Sequence, residues 1–354
     1  MAIESFVAGG AQKQISLLEE RLSKTYEVKF LTHNKKNFFN IPSNKVIAVD
    51  RGKFGKLGLC VFYIRAVLVE KPDVIIAYGL NSAFLCEVAR LFVKFRLIVS
   101  ERNLKPNASG ISLYIRRLMH FFMTDEIFVN SKAQYEDLKI KYPYLKVNII
   151  RNTILQNEYL IKNSGDCGAN DDLRILGIGK YLSQKNILFF INIIHRFKKN
   201  YPNKKISVKW FGDVDGHDKQ KYYNECIEAI DQKNINVDIE LHPQKSDIFE
   251  EYSWASVFVL PSVSEGTPNV ALEAMLAGLP ICLSDVSDNR LLVTKGVNGF
   301  ILSLQNIDDW VAALGEITSW SVNQYQNCAS ENKRILERYY GTKNLSLIEN
   351  LVKN

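Results

Sequence analysis

Cysteine, proline and long apolar runs are all scarce in this chain. Its six cysteines, Cys60, Cys86, Cys167, Cys226, Cys282 and Cys328, form no C-x-x-C pair, and none lies near a histidine at metal-ligand spacing. That excludes a zinc finger and a disulfide framework, and suits reduced core thiols in a cytosolic protein. Nine prolines and 19 glycines among 354 residues exclude collagen-like and low-complexity chains. The longest apolar runs, such as 74–77, 191–194 and 257–260, fall far short of the ~18 residues of a membrane span. No basic stretch followed by an apolar one opens the chain, so secretion is not expected. The charge surplus is small: 45 Lys+Arg against 38 Asp+Glu, a net +7. It favours anionic partners, and no nucleic acid is expected among them. What is present is 47% apolar and 23% charged residues, the balance of an ordinary globular protein. At ~100–200 residues per domain, the length predicts two domains.

Short apolar runs alternate with stretches of helical period. Residues 28–31, 74–77, 97–100, 126–129 and 147–150 read as strands. Ile15, Leu18 and Leu22 share a helical face, and 80–93 and 112–123 are long enough for crossover helices. The pattern breaks at 155–173, where Asn163-Ser164-Gly165-Asp166 is turn chemistry. It then resumes with strands at 174–178, 207–211, 237–241, 257–260 and 279–283. Helices are expected at 187–199, 219–231, 247–252 and 270–277. Strands separated by helices argue for parallel sheets covered on both faces. The expected fold class is α/β, with two Rossmann-like doubly wound domains facing each other across a cleft. The first spans 1–155, a linker 156–172, and the second 173–320. Helices at 321–354 are expected to cross back to the first domain.

Open parallel sheets bind ligands at the carboxyl ends of their strands, so the residues after each strand are the candidates. After 257–260 come Pro261, Ser262, Val263, Ser264, Glu265, Gly266, Thr267, Pro268, Asn269 and Val270, with a helix beginning near Asn269 and Glu273 one turn inside it. A helix N-terminus suits a diphosphate, and a carboxylate on that helix can hold a ribose diol. On spacing alone, a solvated loop acid and a surface helix acid are the simpler readings. After 174–178 come Gly177-Ile178-Gly179-Lys180 and, further on, Lys185, which alone could be a tight turn with two exposed lysines. Gly9-Gly10 precedes the first helix. Ser100-Glu101-Arg102-Asn103 closes a strand, as a salt-bridged surface loop or as a site facing the ligand. Asp213-Val214-Asp215 also follows a strand and reads as a solvated turn, so no metal is assigned to it. None of the five histidines is assigned a catalytic role.

The run from Ser264 through Glu265, Gly266, Pro268, Asn269, Val270, Leu272, Glu273, Ala274 and Met275 to Gly278 and Pro280 resembles the E-x7-E signature of family 4 glycosyltransferases, retaining enzymes of the GT-B fold. Gly296-Val297-Asn298-Gly299-Phe300, Gly9-Gly10-Ala11-Gln12 and the Gly179–Lys185 loop also resemble family elements, although Lys180 stands where the family usually has arginine. The first strand before Gly9 must be short, or the true start lies upstream. Ser100-Glu101-Arg102-Asn103 resembles an element of polysaccharide-assembly members.

The resemblance implies transfer of a sugar from a nucleotide donor, expected to be a UDP-sugar, with retention and without cofactor or metal. Catalytic roles would fall to Glu265, Lys180 and Lys185. The donor would be held by Gly9, Gly10, Gly266, Thr267, Pro268, Asn269, Val270 and Glu273. Glu101, Arg102 and Asn103 would lie on the acceptor side. The acceptor would be a glycan linked to a polyprenyl diphosphate, in the assembly of O-antigen, lipopolysaccharide or capsule. An epimerase of the same fold and a non-catalytic sugar-nucleotide binder are the alternatives. From Arg90 to Arg117 there are seven basic residues (Arg90, Lys94, Arg96, Arg102, Lys105, Arg116, Arg117) and one acid, with Leu91, Phe92, Phe95, Leu113, Tyr114, Leu118, Phe121 and Phe122 among or beside them. This mixture suggests a cytoplasmic protein peripheral on an anionic membrane. The competing reading buries Leu91, Phe95 and Leu118 in the core.

Overall fold

The computed structural model describes residues 1–4, 10–33, 41–48, 51–102, 110–155, 172–235, 238–245 and 247–353. It divides into two compact units, one of Met1–Thr153 with Thr342–Asn354, the other of Ile154–Gly341. The expected linker lies almost wholly outside the described residues, as do Gly9, Asn103 and Lys105.

The first unit is a seven-stranded sheet in the order β3-β2-β1-β4-β5-β6-β7. Its strands are β1 (Ala2–Ile3), β2 (Phe30–Thr32), β3 (Val46–Ala48), β4 (Val74–Tyr78), β5 (Arg96–Glu101), β6 (Glu126–Val129) and β7 (Val147–Ile149). All are paired in parallel. Between them run α1 (Gly10–Leu22), α2 (Arg51–Glu70), α3 (Leu80–Arg90), α4 (Gly110–Met123) and α5 (Lys132–Lys141). Ile15, Leu18 and Leu22 on α1 are at most 4% exposed, as their common face requires.

The second unit is a six-stranded parallel sheet in the order β10-β9-β8-β11-β12-β13. The strands are β8 (Leu173–Ile178), β9 (Ile206–Gly212), β10 (Ile239–Pro243), β11 (Val257–Leu260), β12 (Ile281–Ser284) and β13 (Gly299–Leu302). The helices are α6 (Ile187–Asn200), α7 (His217–Lys233), α8 (Phe249–Trp254), α9 (Asn269–Leu276), α10 (Ile307–Ile317) and α11 (Val322–Tyr340). Every residue of β11 and β12 is buried, as expected of strands covered on both faces. The helix α11 stays with this unit, while α12 (Lys343–Lys353) belongs to the first. There Arg21 of α1 donates to Glu349 at 2.9 Å and to Ser346 at 3.0 Å.

Five elements escaped the sequence pattern: β3, α2, α5, β13 and α10. Apolar residues lie on every side of α2, and Gly55 (φ +58°) interrupts it, so no single stripe shows. β13 opens on Gly299, where a Cβ would stand 1.8 Å from the Ile281 carbonyl oxygen. Its glycine therefore serves close strand packing as well as a turn.

Candidate functional site

In each sheet the strand order reverses once, between β1 and β4 and between β8 and β11. Such a reversal opens a crevice at the carboxyl ends of the strands, where ligands of doubly wound sheets bind.

In the second unit the loop after β8 is stitched across neighbouring strand ends. A Cβ on Gly212 would lie 2.1 Å from the Gly179 carbonyl oxygen, so only glycine allows the crossing. Gly179 N–H donates to Phe211 O (2.9 Å) and Tyr181 N–H to Asp213 O (3.2 Å). The Trp210 indole N–H donates to Gly179 O (2.9 Å), and the Tyr181 hydroxyl to His242 O (3.0 Å). The loop ends in a short 3-10 turn, Ser183–Lys185. There Gln184 donates through Nε2 to Ser264 O (2.7 Å), and its carbonyl accepts from Val263 N–H (2.8 Å). Lys185 Nζ donates to Glu265 Oε1 at 2.5 Å. Two motifs 80 residues apart thus meet at the β8/β11 reversal.

Lys180 makes no ion pair among the described residues. Its side chain is exposed, yet protein crowded around the ammonium desolvates it. That desolvation lowers its pKa, as do Lys219 and Lys185, against the opposing effect of Asp213. Asp213 itself is 7% exposed, which corrects the expectation of a solvated turn for it, while Asp215 is exposed. Asp213 pairs with Lys219 and accepts from Asp215 N–H at 2.9 Å. Burial would raise its pKa, but these bonds outweigh burial and lower it. Among the described residues no group of three or more His, Cys, Asp or Glu side chains is placed to hold a metal ion.

The helix α9 starts after Pro268, with Thr267 buried in front of it, Asn269 buried as its first residue, and Gly266 O accepting from the Ser287 hydroxyl (3.0 Å). Glu273 is 8% exposed and accepts from the Tyr252 hydroxyl at 2.9 Å, so it is not a surface acid. At the end of β10 the His242 ring stacks on Phe211, with centroids 4.6 Å apart and planes at 14°. The Gly296–Gly299 turn is structural. Asn298 is fully buried, accepts from Thr294 N–H (2.7 Å) and donates to Leu292 O and Asn332 Oδ1 (2.8 Å each).

In the first unit, Glu101 and Arg102 do not form a surface loop. Glu101 is 3% exposed and paired with Arg117, itself 2% exposed; its Oε1 lies 3.5 Å from His120 Nε2, and His120 also pairs with Glu87. Burial opposes ionisation of Glu101, but His120 and Arg117 outweigh it and hold the pKa down to about 2. Burial likewise opposes the imidazolium, yet Glu101 and Glu87 raise His120 to about 9. Asn81 bridges Glu4 (2.5 Å) and Arg116 (2.7 Å) at the β1/β4 reversal.

The basic stretch is not the open cationic face expected. Arg117 is buried, and Arg90 is tied to Asp125 and to the Met123 carbonyl. The apolar half of the stretch behaves oppositely. Tyr114, Ile115, Leu118, Phe121 and Phe122 of α4 are 40–68% exposed, and Leu91 is 59% exposed, so of the three residues expected in the core only Phe95 is buried. On α4 the charges point inward and the rings outward.

Residues 172–319 match the family model for group 1 glycosyl transferases. That stretch lies within the second unit and contains Lys180, Lys185, Glu265 and Glu273. Over 213 residues the chain is 28% identical to the UDP-Gal:alpha-D-GlcNAc-diphosphoundecaprenol alpha-1,3-galactosyltransferase of Escherichia coli, covering 56% of this chain and 52% of that protein. Over 201 residues it is 26% identical to an uncharacterized glycosyltransferase of Haemophilus influenzae, covering 56% and 54%. The chain thus spans about half the length of these curated relatives. The structure of Anabaena HepE in complex with UDP and glucose superposes with a TM-score of 0.84 at 16% identity, covering 100% of this chain and 98% of that one. The fold is GT-B, and the family match and the relatives support a glycosyltransferase.

Proposed function

We propose that the chain is a retaining glycosyltransferase of the E-x7-E type, moving a sugar from a nucleotide-sugar donor, a UDP-sugar, to a diphosphate-linked glycan acceptor. The observation that carries this is the Lys185–Glu265 contact beside the unpaired Lys180 at the β8/β11 reversal. The donor diphosphate would lie against Lys180, Lys185 and the N-terminus of α9. As the glycosidic bond breaks, the diphosphate gains negative charge, which preorganised cations stabilise by several kcal/mol in comparable sites. The acceptor hydroxyl attacks the anomeric carbon from the face the diphosphate leaves, giving its proton to the departing phosphate oxygen. Glu265 holds the donor sugar's hydroxyls, with Lys185 fixing its carboxylate. Glu273 holds the ribose, and the base lies near Leu241-His242-Pro243. No divalent metal is needed, because the lysines supply the positive charge. The E. coli relative's diphosphoundecaprenol-linked substrate and the HepE complex with UDP support the acceptor and donor classes. The test is a screen of purified protein across nucleotide sugars, run with a chelator. Retained transfer to a lipid-diphosphate glycan is expected. Strict dependence on added magnesium or manganese, or an epimerised donor formed without acceptor, would contradict it.

A lipid-linked acceptor fits a protein peripheral on the cytoplasmic membrane face. The outward rings of α4 support that reading better than the basic residues do, since aromatic and aliphatic side chains favour the bilayer interface. Arg117 cannot serve as a probe, because it pairs with buried Glu101. Leu118→Glu and Phe122→Glu together should abolish flotation with anionic liposomes while leaving donor binding intact. Flotation of the double variant equal to that of the wild type would contradict the reading.

A further inference from the structure

Arg102 follows β5 and lies over the end of β4. Its Nε donates to Ser100 Oγ at 2.9 Å and a terminal nitrogen to Asn152 Oδ1. Its guanidinium carbon stands 5.5 Å from the centroid of the Tyr78 ring and 5.6 Å from that of Phe128. Asn152 is held in turn, its carbonyl accepting from Asn344 Nδ2 at 3.1 Å. The guanidinium is therefore fixed on three sides by neutral groups. Among the described residues no carboxylate pairs with it. Neighbouring Glu101 is committed to Arg117 and His120. Arg102 is half-buried, and a partly desolvated cation without a counter-charge favours an anion. Beside it, Tyr78 is 3% exposed, and its hydroxyl oxygen is turned to the Arg102 guanidinium, which leaves the phenolic proton as the group still without an acceptor at the same strand ends. Tyr78 and Ser100 are register partners across β4 and β5, so the phenol and the guanidinium share one edge of the sheet. A second guanidinium nitrogen and a phenolic hydroxyl together match the oxygens of a phosphate, which a fork of N–H donors recognises better than a point charge.

We propose that Arg102 and Tyr78 form a phosphate-binding subsite on the first unit, taking a phosphate of the diphosphate-linked acceptor. The proposal rests on the acceptor class stated above, and adds the residues and the anion that the first unit reads. The probe is inorganic pyrophosphate, titrated calorimetrically into full-length Lys180→Ala/Lys185→Ala, where the donor-side cations are absent. Sodium acetate, titrated in parallel, stands for a sugar carboxylate. Pyrophosphate binding is expected in this background, with acetate much weaker. Adding Arg102→Lys should weaken it about tenfold by losing the fork, and adding Tyr78→Phe by severalfold with no loss of thermal stability. Absence of binding in this background, equal binding of acetate, or an affinity unmoved by both substitutions would overturn the proposal. UDP binding by the wild type, measured alongside, reports the donor reading alone, so failure of one is told apart from failure of the other.

Discussion

Lys185→Ala is expected to lower kcat/KM by about 10²–10³-fold, the usual cost of losing one preorganised donor to a developing anion. Two effects combine in this residue. Its ammonium would face the departing diphosphate, and it also holds Glu265 at 2.5 Å. With Lys185 gone, Glu265 at 8% exposure keeps a carboxylate without that partner, so the donor sugar's hydroxyls meet a less ordered acceptor. Lys185→Arg should recover part of the activity, because charge is kept while the point contact changes. Steady-state kinetics over donor concentration would separate the two effects. A variant with wild-type kcat/KM would remove Lys185 from the mechanism.

The second large effect concerns stability. Arg117→Ala should destabilise the first unit by about 3–5 kcal/mol, because it removes the guanidinium partner of Glu101 in a site 3% exposed and leaves that carboxylate to His120 alone. Arg116→Ala, whose guanidinium among the described residues reaches Asn81 and the Phe84 ring, should cost about 1 kcal/mol or less. The same cluster sets a pH window. Glu101 has its pKa depressed from 4.5 to about 2, so its contribution is present above about 4.5 and lost as pH falls through about 2. His120 has its pKa raised from 6.5 to about 9, so its contribution is present below about 6.5 and lost as pH rises through about 9. Urea unfolding followed by tryptophan-free probes of the first unit should therefore show its midpoint falling between pH 7 and 10. A midpoint constant over that range, with Arg117→Ala no less stable than Arg116→Ala, would contradict the buried network.

The second sheet was legible because its strands are unbroken apolar runs and its motifs sit on the loops that follow them. Val257-Phe258-Val259-Leu260 could hardly be anything but a core strand, and Glu265 follows it directly. What periodicity cannot show is inversion. Arg117 on α4 looks like part of a solvated face in sequence, because the rule that charges face water ignores Glu101, which comes from another element. The same blindness made Asp213 seem solvated, since its partner Lys219 lies on α7. Arg102 was found through its motif, but its lack of a counter-ion is a fact of three dimensions. α2 was missed for want of a stripe.

The central claim is that the second unit binds a nucleoside diphosphate through Glu273 and the lysines of the β8 loop. Calorimetric titration of UDP into the wild type and into Glu273→Ala tests it most directly. A charge-assisted hydrogen bond to ribose is worth about 1.5–3 kcal/mol, so the variant should bind roughly 10–100-fold more weakly with its thermal stability little changed. Wild-type protein that does not bind UDP, or a Glu273→Ala variant that binds it as tightly as the wild type, would contradict the account.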